Sequence, residues 1–188
     1  MSFEGIILGV GVPMLDVLVD VSSEFLHNRG LLLNNAIPAG IEHEIIFQEI
    51  TAMDNARYIP GGATLNAVRG AQWMLGEKNI CSFIGSIGND DSGKKMLENC
   101  NSCGVVSRLV IHEGETENTG ICGVLVNNSE RSLLARLGAG KNLKLADLLA
   151  SEASIMIEKA QYIYCAGYLL ECDEGLDCII HLGRHVLP

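Results

Sequence analysis

The stretch Tyr58-Ile-Pro-Gly-Gly-Ala-Thr-Leu-Asn-Ala-Val-Arg-Gly-Ala-Gln-Trp-Met-Leu75 determines the fold that we expect for this chain. An apolar run ends at Pro60, two glycines follow, and apolar residues then recur at helical spacing as far as Leu75. Glycines in such a turn let backbone N–H groups approach a ligand closely, and Asn66 places a polar amide near the start of the helix. The stretch therefore predicts a strand, a tight turn and an amphipathic helix that could seat a small polyhydroxylated ligand.

Strands and helices alternate on both sides of this stretch. Apolar periodicity predicts strands over residues 6–12, 15–21, 57–59, 80–84, 105–111 and 162–166, and helices over 41–53, 63–75, 91–101, 145–159 and 174–184. The segments 119–126 and 131–137 predict a hairpin, because a polar turn separates them. This alternation is typical of an α/β fold, a parallel sheet flanked by helices. We expect a large α/β domain from residues 1–12, 60–113 and 141–188, and a small β lid from residues 13–59 and 114–140.

Composition and charge limit the possible partners. At 188 residues and 48% hydrophobic content, the chain can bury a sizeable core. A formal net charge of −10 without any basic run argues against nucleic-acid binding, and no segment approaches the roughly 18 apolar residues of a membrane span. The N-terminus lacks a signal-peptide pattern, and the seven cysteines lie mostly among apolar neighbours, as reduced thiols do. We therefore expect a cytoplasmic protein, with a nuclear location left open.

Three short motifs suggest other chemistry, but each favours a structural interpretation. Cys100-Asn-Ser-Cys103 lacks the second cysteine pair of a zinc site and falls at the end of a predicted helix rather than at its start. His181 and His185 have metal-ligand spacing but no nearby third ligand, which favours a solvated helix face. Gly9-Val-Gly11 begins a dinucleotide fingerprint, yet Met14 stands where its third glycine belongs. We expect no bound metal and no dinucleotide from these motifs.

Asp16 is the second candidate residue, in Val12-Pro-Met-Leu-Asp16 after the first predicted strand. A carboxylate there can accept hydrogen bonds from both hydroxyls of a vicinal diol, each worth about 1.5–3 kcal/mol. The alternative is a solvated turn acid, just as the double glycine alone would favour an ordinary strand-to-helix turn. The two interpretations differ in a measurable way, because a binding carboxylate must lie close to Asn66.

Taken together, these residues resemble the ribokinase (PfkB-type carbohydrate kinase) family, and Ala71-Gln-Trp-Met74 narrows the resemblance to its adenosine kinase branch. The similarity runs through essentially the whole chain, including Phe83-Ile-Gly85 with Gly88, the strand that begins at Arg131, and Ala166-Gly167. It implies a ribokinase-like fold and phosphoryl transfer from ATP, with Mg²⁺, to the 5′-hydroxyl of adenosine, giving AMP in purine salvage. It also implies a monomer whose partner is the small molecule adenosine.

The resemblance assigns roles to individual residues. Those that it implies for nucleoside binding are Asp16, Gly61, Gly62, Ala63, Asn66, Cys122, Leu133 and Leu169. Arg131 matches an arginine of the lid that reaches the transferred phosphoryl group. The chain departs from the family pattern at Val12, where an asparagine is usual, and at Tyr168-Leu169, which replaces a Phe-Phe pair around the base.

One expected motif does not occur in this sequence. The family carries its general-base aspartate in an Asp-Thr-x-Gly-Ala-Gly-Asp motif, whereas the Gly138-Ala-Gly140 found here is followed by Lys141. We therefore expect a truncated form whose catalytic Asp lies beyond Pro188, with the ATP and Mg²⁺ site largely absent and the chain inactive alone. Two alternatives stay open: a non-catalytic adenosine-binding fragment, and a family kinase that acts on another nucleoside or sugar.

Overall fold

The computed structural model describes residues 4–112 and 117–186, which contain two β-sheets and the helices that cover them. The strands are β1 Ile7–Val10, β2 Met14–Asp20, β3 Ala36–Pro38, β4 Arg57–Gly61, β5 Cys81–Ser86, β6 Val106–Val110, β7 Ile121–Asn127, β8 Glu130–Arg136 and β9 Tyr162–Tyr164. The α-helices are α1 Ser23–Asn28, α2 Glu44–Thr51, α3 Ala63–Leu75, α4 Asp91–Ser102, α5 Leu145–Leu149, α6 Ser151–Lys159 and α7 Gly175–Val186. Short 3-10 helices cover Ile41–His43, Gly138–Asn142 and Gly167–Glu171.

The first sheet has the strand order β6-β5-β1-β9, and all of its pairings are parallel. Helices α3 and α4 cover one face, where Leu65, Phe83 and Met96 are fully buried. Helices α5, α6 and α7 cover the other face around Leu8 and Leu148. This sheet with helices on both faces confirms the predicted α/β class.

The second sheet has the strand order β3-β8-β7-β2-β4. Its β7–β8 pair is the antiparallel hairpin that the sequence predicts, with Asn128 and Ser129 in the left-handed region at φ 48° and 70°. Helices α1 and α2 pack on one face, around Val17 and Ile50. Because successive side chains in a strand alternate between faces, the neighbours of Val17, including Asp16, project from the opposite face.

Three details differ from the sequence-based expectation. The helix predicted over residues 145–159 is wrong as one element, because Ala150 is extended at ψ 144° and separates α5 from α6. The break lets both short helices bury apolar residues, Leu148 and Ala153, in the same core. Strand β3 was not predicted, and the first turn of the helix predicted from residue 41 is a 3-10 turn.

The predicted division into a large domain and a lid stays a prediction. The second sheet draws its strands from both segments assigned to the lid, 13–59 and 114–140, while β4 continues to Gly61. The predicted boundary between residues 113 and 114 lies outside the described residues, as do residues 1–3 and the terminal residues 187–188.

Candidate functional site

The turn between β4 and α3 forms the floor of the candidate site. Gly62 has φ 99°, a conformation that L side chains rarely adopt, and a Cβ on it would clash with the carbonyl oxygen of Val12. A Cβ on Gly61 would clash with the carboxylate of Asp16. Gly62 is also the N-cap of α3, and no side chain caps that helix end. The backbone N–H groups in the first turn of α3 therefore follow two glycines, which place no side chain over them.

Asp16, Asn66 and Arg69 form one connected polar group above this turn. The side chain of Asn66 lies close enough to the Asp16 carboxylate to lower the pKa of that group. Arg69 Nη1 donates to Asn66 Oδ1 at 3.3 Å and to the carbonyl oxygen of Pro60 at 2.6 Å. Asp16 and Asn66 therefore lie together, as the ligand-binding interpretation of the sequence required.

Burial sets the electrostatics of the site. Removal from water raises the pKa of Asp16 from 3.8 to about 6, against the opposing effects of the Arg69 charge and the nearby Asn66 amide. Cys122 lies directly across from Asp16 in the β2–β7 pairing. Burial first, and the nearby Asp16 second, raise the pKa of its thiol to about 12, so Cys122 acts as a neutral, apolar wall.

The open face of the second sheet extends from Asp16 through β7 to β8. Leu133 pairs with Val124 of β7 and is half-buried, and Arg131 is exposed near the start of β8. Ala135 pairs with Cys122 and also lines a cleft of about 550 Å³. That cleft is bounded by residues 38–39, 117–118, 135–138, Lys141 and Glu171. The apolar face thus continues into a cleft that carries both charge signs.

The segment after β9 lies against the start of α3. The backbone N–H of Ala166 donates to Thr64 Oγ1 at 3.1 Å, which ties the two segments together. Tyr168 is 58% exposed, whereas Leu169 is fully buried in the core beside α7. The structure therefore presents Tyr168 rather than Leu169 at the surface. Val12, where the family pattern has an asparagine, is also buried in that core.

Sequence reasoning missed two parts of this region. Arg69 lies three residues after Asn66, a spacing that brings helical side chains together and could have signalled the contact. The second part is a connection between the sheets: Thr119 Oγ1 donates to Asp90 at 2.6 Å and accepts from the N–H of Gly88 at 3.0 Å. The partners are about 30 residues apart in sequence, so local patterns give no sign of this connection.

The described residues contain no cluster of three or more His, Cys, Asp or Glu side chains that could hold a metal ion. Cys100 is buried and Cys103 half-buried, both as free thiols at the end of α4, and His185 is exposed on α7. Across residues 4–112 and 117–186, no helix has the length and apolar character needed to cross a bilayer.

Comparison with known proteins gives a consistent set of relatives. The model of the pfkB family carbohydrate kinases matches residues 30–185. Adenosine kinase 2 of Arabidopsis thaliana is 40% identical over 169 residues, which cover 90% of this chain and 48% of that protein. Adenosine kinase of Dictyostelium discoideum is 36% identical over 179 residues, covering 95% of this chain and 51% of the relative.

The solved structures agree with the sequence relatives. Adenosine kinase from Schistosoma mansoni in complex with adenosine and AMP superposes with a TM-score of 0.88 at 34% identity, covering 100% of this chain and 54% of that one. The apo adenosine kinase of Trypanosoma brucei brucei gives 0.89 at 30% identity, covering 96% of this chain and 54% of that one. The chain therefore spans about half the length of the relatives that it matches.

Proposed function

This chain belongs to the pfkB family of carbohydrate kinases, and on that premise we propose that it binds adenosine in an adenosine kinase. That enzyme transfers the terminal phosphoryl group of ATP to the 5′-hydroxyl of adenosine and so yields AMP for purine salvage. The observation that carries the proposal is the contact between Asp16 and Asn66 beside a turn without side chains. This combination of hydrogen-bonding groups and open backbone suits a ribose ring.

The polar groups act on the sugar. Ionised Asp16 accepts hydrogen bonds from the 2′- and 3′-hydroxyls, since a carboxylate has acceptors only. Gly61, Gly62 and Ala63 let the ring lie against the backbone, and Asn66 adds a further hydrogen bond. Two hydrogen bonds to a charged group, at about 1.5–3 kcal/mol each, are the largest specific contribution at this site.

The apolar groups act on the base. Cys122 and Leu133 lie on the same open face of the second sheet and form an apolar surface against which the adenine packs. We propose that this sheet serves as the lid and that Arg131, exposed near the start of β8, approaches the transferred phosphoryl group. Leu169 does not serve as a base contact while it lies in the core, so Tyr168 is the better candidate on that segment.

ATP and Mg²⁺ complete the proposed reaction, ATP as the second substrate and Mg²⁺ to offset phosphate charge. The described residues do not offer a suitable set of metal ligands, so no step of the reaction is derived through the metal. The sequence also lacks the glycine-rich aspartate motif of the family. We therefore propose that this chain alone binds adenosine without forming AMP. From the family resemblance and the composition we also propose a cytoplasmic monomer.

Calorimetry on the purified chain tests the proposal. Adenosine is expected to bind, 2′,3′-dideoxyadenosine to bind at least about tenfold more weakly, and no AMP to form with MgATP present. Asp16→Asn should weaken adenosine binding at least about tenfold, and Asp20→Asn, at the exposed end of the same strand, should not. Equal affinities for adenosine and the dideoxy compound would refute the diol site. Tighter binding of inosine or ribose than of adenosine would favour another nucleoside or sugar.

A further inference from the structure

Arg69 is a charged side chain of the site that has no role in the binding of adenosine as proposed above. Its Nη1 bonds both the Pro60 carbonyl, at 2.6 Å, and Asn66 Oδ1, at 3.3 Å. Its Nε is buried without a hydrogen-bond partner in the part of the chain that the structure describes. A partly buried guanidinium with an unpaired N–H costs stability, so a benefit elsewhere is expected.

The contact with Asn66 fixes the direction of that residue's amide. A guanidinium only donates hydrogen bonds, so the oxygen of Asn66 must face Arg69. The NH₂ group of Asn66 then faces the Asp16 carboxylate, which only accepts. The three side chains form a chain of donors and acceptors that runs in one direction, from Arg69 through Asn66 to Asp16.

We propose that Arg69 is a positioning residue of the nucleoside site: it fixes the amide of Asn66 with its NH₂ toward Asp16 and holds Asp16 as an ionised acceptor for the ribose diol. This inference rests on the proposed function for its biological meaning. The arrangement of Arg69, Asn66 and Asp16 can nevertheless be tested without any ligand. Arg69 touches neither the sugar nor the phosphate in this scheme and acts through its two neighbours.

The electrostatics around Asp16 favour Arg69 as the controlling charge. Burial raises the pKa of Asp16 to about 6, and Arg69 is the charged group that opposes this rise. Other titratable or charged groups on the strands and helices around Asp16 include Asp20 on β2, Arg57 and Tyr58 on β4, Cys122 on β7, Glu130, Arg131 and Arg136 on β8, and Asp91, Lys94, Lys95, Glu98 and Cys100 on α4. Of these, Cys100 also interacts electrostatically with Arg69. Lys95 lies over the ring of Tyr58 at 4.1 Å from its centroid. Cys122 is neutral near pH 7, since its thiol pKa is about 12.

Removing the charge should shift the titration of Asp16 upward. Because the Arg69 charge lowers the pKa of Asp16, Arg69→Met should raise that pKa by about one unit. At pH 6.5 the ionised fraction would then fall about threefold, and adenosine affinity with it. Arg69→Lys keeps the charge but cannot reach both acceptors in the same planar geometry, so it should give an intermediate shift.

Carboxyl ¹³C NMR titration of the full chain provides the measurement. Arg108→Met is the matched control, because Arg108, like Arg69, is partly buried and has an unpaired Nε within the described residues. Arg108 differs in being ion-paired, with Glu152. Arg108 aligns with Ile84, whose side chain belongs to the core on the α5–α7 side, so the control lies across the first sheet from α3. It should leave the Asp16 titration unchanged.

A second measurement needs no variant and covers the case in which Arg69→Met fails to fold. In the unaltered chain, the side-chain NH₂ signals of Asn66 should shift with the same midpoint as Asp16. An NH₂ group that ignores this titration, or an Asp16 pKa that stays the same in folded Arg69→Met, would overturn the inference. If the unaltered chain binds no adenosine, the proposed function fails, while the Asp16 titration still decides whether Arg69 acts on Asp16.

Discussion

Replacing Asp16 with asparagine should stabilise the folded chain at neutral pH, although it should weaken nucleoside binding. Asparagine has nearly the shape of a protonated aspartic acid and keeps a hydrogen-bonding group beside Asn66. The folded state prefers the protonated acid, because burial raises the Asp16 pKa from 3.8 to about 6. The substitution therefore replaces the ionised carboxylate, which destabilises the folded state, with a neutral side chain.

The size and sign of the expected change in the free energy of unfolding follow from the linkage between protonation and folding. A raised carboxyl pKa in the folded state means that the folded state holds the proton more tightly, so its stability falls as pH rises from about 4 to about 6. Each pKa unit is worth about 1.4 kcal/mol, so the shift from 3.8 to about 6 corresponds to about 3 kcal/mol. Water reaches the half-buried carboxylate, which reduces the expected gain at pH 7.5 to about 2 kcal/mol.

Urea unfolding of the wild-type chain and of Asp16→Asn between pH 4 and 7.5 measures this gain. The difference in the free energy of unfolding should be near zero at pH 4, grow through pH 5–6 and level off at about 2 kcal/mol above pH 7. Asp20→Asn, on the same strand and exposed, should show less than about 0.5 kcal/mol at any pH. A variant that is equally stable at every pH, or less stable at pH 7.5, would refute the reasoning.

Three further substitutions, with Gly70→Ala as a control, test the turn and the connection between the sheets. Gly62→Ala should lower the free energy of unfolding by about 2–4 kcal/mol, because residue 62 has a positive φ and the new Cβ clashes with the Val12 carbonyl oxygen. Gly70→Ala in α3, whose Cβ meets open space, should raise the free energy of unfolding by about 0.5–1 kcal/mol. Thermal melts compare the two variants. Thr119→Val should cost about 1–3 kcal/mol in urea unfolding, because a buried N–H loses its acceptor. Gly61→Ala should displace the Asp16 carboxylate and reduce adenosine affinity at least about tenfold by calorimetry, and unchanged affinity would contradict the floor assigned to this turn.

The stretch from Tyr58 to Leu75 gives the best agreement between sequence and structure, for local reasons. Helix α3 runs from Ala63 to Leu75, as the apolar spacing predicts, because Gly62 starts it and Gly76, at φ 74°, ends it. Both limits depend on backbone conformations that glycine alone adopts easily, so they are visible in the sequence. The same stretch also led to the correct prediction that Asp16 lies close to Asn66.

Other features of the fold and of the site depend on contacts that sequence patterns do not record. Strand β3 has three mostly exposed residues and exists because it pairs with β8 nearly 100 residues later, from Ala36 to Leu133. Tyr168 and Leu169 are adjacent and both suit a base contact, yet the 3-10 turn directs Leu169 into the core. The three-residue spacing between Asn66 and Arg69 is visible in the sequence, but the bond from Arg69 to the Pro60 carbonyl is not, because every residue has a backbone carbonyl.

The sign of the Asp16 shift separates a binding role from a structural one. A carboxylate that stabilises a fold has partners that lower its pKa below the ordinary value, and the fold then loses stability in acid. At Asp16 the opposite holds, since burial outweighs both Arg69 and Asn66. The free chain is therefore less stable with this residue ionised, and under the proposed function the hydroxyl groups of the ribose offset that cost by donating hydrogen bonds to the carboxylate. Adenosine should accordingly stabilise the chain more at pH 7.5 than at pH 5. Without ligand, the contribution of Asp16 should make the wild-type chain less stable at pH 7.5 than at pH 5.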